Sequence, residues 1–142
     1  MIMMMKAIPV MKRMMTLHKF IRKIYFIFCC RKYLNIMGVK ELMDQKIANK
    51  KVFVISKSYC PFCVKAKKVL QKYNIPADNI EIQEIENDKD CNEIQDYMRQ
   101  LTGGRSVPRV FIGGKFIGGG DETEAAHKSG KLQGMLESAG AV

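Results

Sequence analysis

Two cysteines separated by two residues, Cys60 and Cys63, are the side chains of this sequence best suited to covalent chemistry. They stand where a short apolar run, residues 52–55, gives way to a pattern of helical spacing. A thiolate at one position can attack a disulfide, and a second thiol can then resolve the mixed disulfide that forms. The pair therefore predicts thiol–disulfide exchange.

We expect Cys60 to be the nucleophile. It lies at or just before the start of the predicted helix, with Pro61 at the first helical position, where the missing N–H costs nothing. The unpaired N–H groups and the positive end of the helix dipole stabilise a thiolate there, and Lys57 adds a positive charge just upstream. Cys63 is one turn deeper and should be less exposed, which suits a resolving thiol.

A zinc half-site and a structural disulfide are the other uses of such a pair. Zinc would need a second ligand pair, whereas Cys91, His18 and His127 are isolated in the sequence, so we expect no metal. A disulfide between cysteines this close would constrain very little chain. The total of five cysteines is odd, which excludes a fully paired scaffold within one chain and favours a reducing compartment.

The net charge of +10 belongs mainly to the first 36 residues, which carry eight Lys or Arg and no acid. Residues 37–142 carry sixteen basic and fourteen acidic residues, so their formal charge is only +2. They contain no nucleic-acid-binding motif and no basic stripe with interleaved aromatics, so we expect no nucleic-acid partner. We divide the chain into a basic leader, residues 1–36, and a single domain, residues 37–142.

The leader is basic, acid-free and roughly amphipathic, as in mitochondrial transit peptides, although it lacks serine. A disordered tail and translation from Met37 are the alternatives. Its apolar run, residues 24–30, is shorter than the about 20 residues that span a bilayer, and no small-residue cleavage site follows it. We therefore expect a cytoplasmic or mitochondrial protein that is not secreted and has no stable membrane insertion. We assign no role to Cys29 and Cys30.

The domain has the pattern of an α/β fold. Helices are predicted at residues 39–49, 61–73, 91–102 and 122–138, and strands at 52–55, 80–85, 110–112 and 115–117. Asp90 and Glu93 predict a capping box, and Gly113-Gly114 predicts a two-residue hairpin turn. A βαβ unit followed by an antiparallel hairpin gives a four-stranded mixed sheet with helices on both faces.

Five segments of residues 38–142 resemble dithiol glutaredoxins, which belong to the thioredoxin-fold superfamily. They are, in order, Lys57-Ser58-Tyr59-Cys60-Pro61-Phe62-Cys63, Gln95-Asp96-Tyr97, Leu101-Thr102-Gly103, Ser106-Val107-Pro108 and Phe116-Ile117-Gly118-Gly119. Each is weak alone, but together, in this order and spacing, they are specific. The resemblance implies the thioredoxin fold and the use of glutathione as reductant and co-substrate.

The resemblance also implies which residues bind glutathione. Lys57 and Gln95 match positions that hold the glycine carboxylate, although by themselves they would be interpreted as surface residues. Pro108 matches a cis proline that faces the dithiol, and Val107 matches the residue whose backbone groups meet the substrate. Ser106 stands where Thr is more usual.

Two more features of the implied glutathione site lie beside the dithiol and after the hairpin. Phe62 keeps the aromatic ring that flanks the site but lacks the hydroxyl of the commoner Tyr. In the family, residues after Gly119 hold the γ-glutamyl group: N–H groups at a helix start bind its carboxylate and an acid binds its ammonium. Gly120, Asp121 and Glu122 occupy these positions, with Glu122 where Asp is commoner. A plain turn into a helix is the alternative.

On this resemblance we expect a glutathione-dependent thiol–disulfide oxidoreductase, a monomer that reduces protein–glutathione mixed disulfides and protein disulfides. An iron–sulfur cluster carrier is a second hypothesis, which Pro61 disfavours because cluster-binding relatives usually have Gly or Ser there. A thioredoxin reduced by a flavoprotein is a third. Thioredoxins usually carry Trp-Cys-Gly-Pro-Cys, whereas this chain has no Trp and places proline directly after the first cysteine.

Overall fold

The structure is a computed structural model that describes residues 38–142; the expectations for the leader, Cys29 and Cys30 lie outside these residues. Within residues 38–142 no helix is both long and apolar enough to cross a membrane. The elements, in chain order, are α1 (Val39–Asn49), β1 (Val52–Ser56), α2 (Pro61–Leu70), β2 (Ile80–Glu84), α3 (Cys91–Thr102), β3 (Arg109–Ile112), β4 (Lys115–Gly118), α4 (Gly120–Lys128) and α5 (Lys131–Ser138).

Strand β1 lies inside a four-stranded sheet whose order is β2-β1-β3-β4. It runs parallel to β2 and antiparallel to β3, and β3 pairs with β4 in an antiparallel hairpin. All five residues of β1 are buried, because helices cover both faces of the sheet. The expected mixed sheet with helices on both faces is confirmed.

The side chains of β1 alternate between two apolar clusters, as the period of two of a strand requires. Val52 and Val54 pack with residues of α2 and α5 on one face of the sheet. Phe53 and Ile55 pack with residues of α1 and α3 on the other face. The continuous apolar sequence of β1 therefore contributes to two cores. Because β1 is anchored on both faces, it fixes the position of the dithiol segment that follows its C-terminal end.

The hairpin turn is confirmed, and three local predictions are wrong in detail. The predicted helix 122–138 is two helices, because Gly130 adopts a left-handed conformation (φ 74°) that ends the first of them. The helix predicted to reach residue 73 ends at Leu70 and continues as a 3-10 turn, and the strand predicted to reach residue 85 ends at Glu84.

The predicted capping box at the start of α3 is also wrong. Asp90 occupies the N-cap position but makes no side-chain capping hydrogen bond. Its backbone N–H donates instead to the carboxylate of Asp88, at 3.0 Å. The capping box assigned the role of accepting this N–H to the side chain of Glu93. In the structure Asp88, which precedes the helix, accepts it instead.

Helix α4 begins in close contact with the first turn of α2. A β-carbon placed on Gly120 would lie 2.5 Å from the carbonyl oxygen of Phe62 and 3.1 Å from its carbonyl carbon. Backbone cannot move away as a flexible side chain can, so only glycine permits this approach. The contact brings the start of α4 beside the dithiol segment.

We predict that Gly120→Ala lowers the free energy of unfolding by about 1–3 kcal/mol, because the added methyl group must separate α2 from α4. The matched control is Gly134→Ala within α5, where an added β-carbon meets nothing within 4 Å. That substitution should stabilise the protein by about 0.5–1 kcal/mol through helix propensity. Urea unfolding of the two variants measures both effects. Equal stability of Gly120→Ala and the parent protein would contradict the close contact.

Candidate active site

Cys60 is the N-cap residue of α2 and its sulfur lies at the start of the helix. The backbone N–H of Cys63 donates to the sulfur of Cys60 at 3.4 Å, and Pro61 follows at the first helical position. A turn in which the N–H of Cys60 donates to the carbonyl of Lys57, at 3.1 Å, connects the helix to β1. The half-exposed sulfur thus has a backbone donor directed at it, which stabilises negative charge.

The segment before β3 approaches Cys60 from the other side. The thiol of Cys60 lies 3.6 Å from the carbonyl oxygen of Val107, to which it donates a hydrogen bond. The Val107–Pro108 peptide bond is cis, and Pro108 is buried. Val107, whose backbone the resemblance assigned to substrate contact, therefore lies beside the expected nucleophile, although it is 47 positions away in the chain, and Pro108 follows it directly.

Cys63 differs sharply from Cys60 in its environment. Its side chain is fully buried. Burial, followed by the hydrogen bond with Cys60, raises its pKa from the ordinary value of 9.0 to about 11. The thiol of Cys63 is therefore neutral at physiological pH. The expectation that it lies deeper and is less exposed than Cys60 is confirmed.

Lys57 and Gln95 meet on the same side of the domain. The ammonium of Lys57 donates to the side-chain oxygen of Gln95 at 3.3 Å, and the amide nitrogen of Gln95 donates to the carbonyl of Arg105 at 2.8 Å. Two protons of the ammonium and one of the amide remain for a ligand. Cys91 contacts the same oxygen of Gln95, with its sulfur 3.6 Å away.

The start of α4 presents backbone N–H groups that have no acceptor inside the helix. The carboxylate of Glu122 turns back and accepts the N–H of Gly119 at 2.8 Å, which closes the first turn. Asp121 is exposed and pairs with Lys65 through one oxygen, at 2.8 Å. Its second oxygen remains available as an acceptor. Each of the two carboxylates at this helix start thus uses one oxygen, but Glu122 is turned back onto its own helix, whereas Asp121 is held by Lys65 of α2.

Lys65 is the residue of this region that the sequence did not single out. Its ammonium pairs with Asp121 and with Glu124, at 2.8 and 3.3 Å, and lies 5.5 Å from the centre of the Phe62 ring. It thereby ties α2 to α4 beside the dithiol. Its acidic partner Asp121 is 56 positions away, so no local pattern indicates the contact.

The remaining predicted residues form the rim of the site. Phe62 is 51% exposed, and its neighbour Tyr59 is 71% exposed, so both rings lie in solvent beside Cys60. The exposed hydroxyl of Ser106 accepts a hydrogen bond from the guanidinium of Arg109 at 2.9 Å. Burial lowers the pKa of Arg109.

Among residues 38–142 no group of three or more His, Cys, Asp and Glu side chains is arranged to hold a metal ion.

Comparison with known proteins identifies the family. The glutaredoxin family profile matches residues 52–117. Glutaredoxin-1 of Sus scrofa is 44% identical over 103 residues, which cover 72% of this chain and 97% of the relative. The chain belongs to the glutaredoxin family. The proximity of the half-exposed thiol of Cys60 and the buried thiol of Cys63 fits a dithiol member of that family.

Solved structures agree with this assignment. Oxidised glutaredoxin 2 from Chlamydomonas reinhardtii matches with a TM-score of 0.70 and 48% identity, over 75% of this chain and all of the other. A buckwheat glutaredoxin–glutathione complex matches with a TM-score of 0.68 and 36% identity, over 73% of this chain and 92% of the other. The thioredoxin fold expected from the motifs is confirmed.

The raised pKa of Cys63 predicts a component of stability that alkali removes. Protonated Cys63 stabilises the folded state below the ordinary thiol pKa of 9.0, and this stabilisation is lost as the pH rises through about 11. Between these values the free energy of unfolding should fall more steeply for the parent protein than for Cys63→Ala, by up to about 1.4 kcal/mol per pH unit. Urea unfolding under reducing conditions measures both slopes. Parallel slopes would contradict the burial-raised pKa.

Proposed function

We propose that this glutaredoxin reduces protein–glutathione mixed disulfides, with glutathione as its reductant, and reduces protein disulfides through both cysteines. The observation that carries the proposal is the contrast between two thiols three residues apart. Cys60 is accessible and has a backbone donor directed at its sulfur, whereas Cys63 is buried and its pKa is raised to about 11. This contrast suits one nucleophile and one resolving thiol.

In the monothiol route, the thiolate of Cys60 attacks the glutathione sulfur of the mixed disulfide. A bond forms between the Cys60 sulfur and the glutathione sulfur, the original disulfide bond breaks, and the protein thiolate leaves and takes a proton. A second glutathione, as thiolate, then attacks the glutathione sulfur bound to Cys60. Glutathione disulfide leaves and the Cys60 thiolate returns, so each mixed disulfide consumes one reduced glutathione, whose sulfur is oxidised while the protein sulfur is reduced.

In the dithiol route, Cys60 attacks a protein disulfide and becomes joined to one of its sulfurs. Cys63 loses its proton and attacks the Cys60 sulfur, which releases the second substrate thiol and leaves a Cys60–Cys63 disulfide. Two glutathione molecules then reduce that disulfide. The buried position of Cys63 leaves Cys60 as the sulfur that meets substrates in solution.

The proposed glutathione site has three parts: the Lys57–Gln95 pair, the backbone N–H groups at the start of α4, and the carboxylate of Asp121. Lys57 and Gln95 supply donors for the glycine carboxylate, since their mutual contact leaves protons free. The first N–H groups of α4 supply donors for the γ-glutamyl carboxylate, and the free oxygen of Asp121 accepts its ammonium. The buckwheat relative solved as a glutathione complex supports this choice of ligand.

The roles of the two cysteines are separable by substitution. We expect Cys60→Ser to remove reduction of a glutathionylated peptide, because the attacking sulfur is gone. Cys63→Ser should retain that activity and lose the reduction of a protein disulfide, which needs the resolving thiol. A coupled assay with glutathione and glutathione reductase measures both reactions. Equal loss of deglutathionylation in the two variants would contradict the assignment, as would efficient reduction by thioredoxin reductase but not by glutathione.

The proposed carboxylate contact of Lys57 predicts a change in glutathione affinity. Lys57→Met removes a charge-assisted hydrogen bond, which contributes about 1.5–3 kcal/mol, so the KM for glutathione should rise about tenfold or more. Lys68→Met is the matched control, because Lys68 is an exposed lysine on α2 that is not part of the proposed site. An equal rise in KM for both variants would indicate a general effect of charge and would overturn the specific contact.

A further inference from the structure

A groove of about 1110 Å³ surrounds the outer edge of β4. It includes Lys50 and Lys51, which precede β1, and the turn between β3 and β4. Cys60 follows the opposite end of β1, so the length of a five-residue strand, about 17 Å, separates the Lys50 and Lys51 end of the groove from the dithiol, and the groove shares no lining residue with the proposed site. The groove is therefore distinct from the proposed active site. Its apolar lining consists of Ala48, Ile112, Phe116, Ile117, Met135 and Ala139.

The charged residues that line the groove are all lysines: Lys50, Lys51, Lys115 and Lys131. None of the four forms an ion pair with another residue of the described domain, whereas Lys40, Lys46, Lys65, Lys67 and Lys128 do. Lys50 donates only to a backbone carbonyl, that of Asp78, at 3.1 Å. Residues 37–142 have a formal charge of only +2. The groove is thus a local concentration of unneutralised positive charge.

The two edges of the sheet differ in whether their charged residues are paired. On β2, Glu81 pairs with Lys46 at 2.5 Å and Glu84 pairs with Lys67 at 2.6 Å, so that edge carries its own counter-charges. β4 is the other edge of the sheet that residues 38–142 form, and within these residues it pairs only with β3. An edge strand presents unpaired backbone N–H and C=O groups, which can accept a further strand.

The groove reaches both faces of the β4 edge. Phe116 packs against the cluster that contains Phe53, and Ile117 packs against the cluster on the opposite face. A strand laid beside β4 would therefore place its alternate side chains against both groove walls. Lysines on this edge would repel a second copy of the same edge, so the charge selects an acidic occupant.

We propose that the β4 edge is a docking site for an acidic, extended segment of a partner protein, which adds to the sheet as a fifth strand. Its carboxylates pair with Lys115 and Lys131, and its apolar side chains contact Phe116, Ile117 and Met135. Because the groove lies away from Cys60, a docked partner leaves the dithiol open to substrates. The proposal does not depend on the glutathione-dependent activity proposed above.

The probe is a blocked synthetic peptide of about ten residues that alternates Glu and Val, titrated into the isotopically labelled full-length protein. Strand addition requires amide shifts concentrated in β4 and the groove, together with slowed hydrogen exchange of amides in β4. The affinity should fall as salt is added, because rim charges are screened. A peptide that alternates Lys and Val is the charge-reversed control and should not bind.

Charge reversal in the protein provides the decisive comparison. The double variant Lys115→Glu and Lys131→Glu should weaken binding of the acidic peptide at least about tenfold. The control double variant Lys68→Glu and Lys89→Glu, which changes exposed lysines outside the groove, should bind as the parent protein does. Equal weakening in both variants would overturn the proposal, as would shifts without exchange protection in β4. A polyphosphate of equal charge that produced the same shifts and protection would assign the groove to polyanions and also overturn it.

Discussion

The hydrogen bond from the backbone N–H of Cys63 to the sulfur of Cys60 is the contact on which the chemistry of this domain depends. It exists because Cys60 is the N-cap of α2 and Pro61 begins the helix without needing a hydrogen-bond acceptor. β1, buried on both faces, holds the start of that helix at one end of the sheet. Val107, Lys57 and the first turn of α4 are all arranged around this point.

Burial then makes two identical side chains chemically different. Cys60 and Cys63 are one helical turn apart, but one lies at the open end of the helix and the other faces the interior. A buried thiol resists ionisation, since the thiolate would lose its hydration without a compensating charge. One sulfur of the pair is thereby accessible from solvent, whereas the other is held in its protonated form in the interior.

The same sheet separates two surfaces of different character. The end at which β1 leads into α2 carries the sulfur chemistry, whereas the opposite end carries the lysine-lined groove around β4. The β2 edge has acidic residues paired with lysines of α1 and α2. Charge along the β4 edge is not balanced in this way. An edge with surplus charge is available to a partner of opposite charge, whereas a balanced edge is not.

Most of the fold followed from local sequence patterns. The unbroken apolar run of β1, the spacing of apolar residues in α3 and the paired glycines of the β3–β4 turn each correspond to a single type of element. The errors arose where one residue had two local options. Gly130 ended a helix instead of continuing it, and the carboxylate of Asp88 accepted the backbone N–H of Asp90 that Glu93 had been expected to accept.

The sequence by itself determined the spacing of the two thiols, the proline that begins the helix and the motifs that resemble glutaredoxins. Tertiary structure decided the burial of Cys63, the contact of Lys57 with Gln95 and the attachment of Lys65 to Asp121. Those contacts join residues 38 and 56 positions apart. Periodicity and capping describe only neighbours within a few turns, so contacts across such distances exist only once the sheet has brought its helices together.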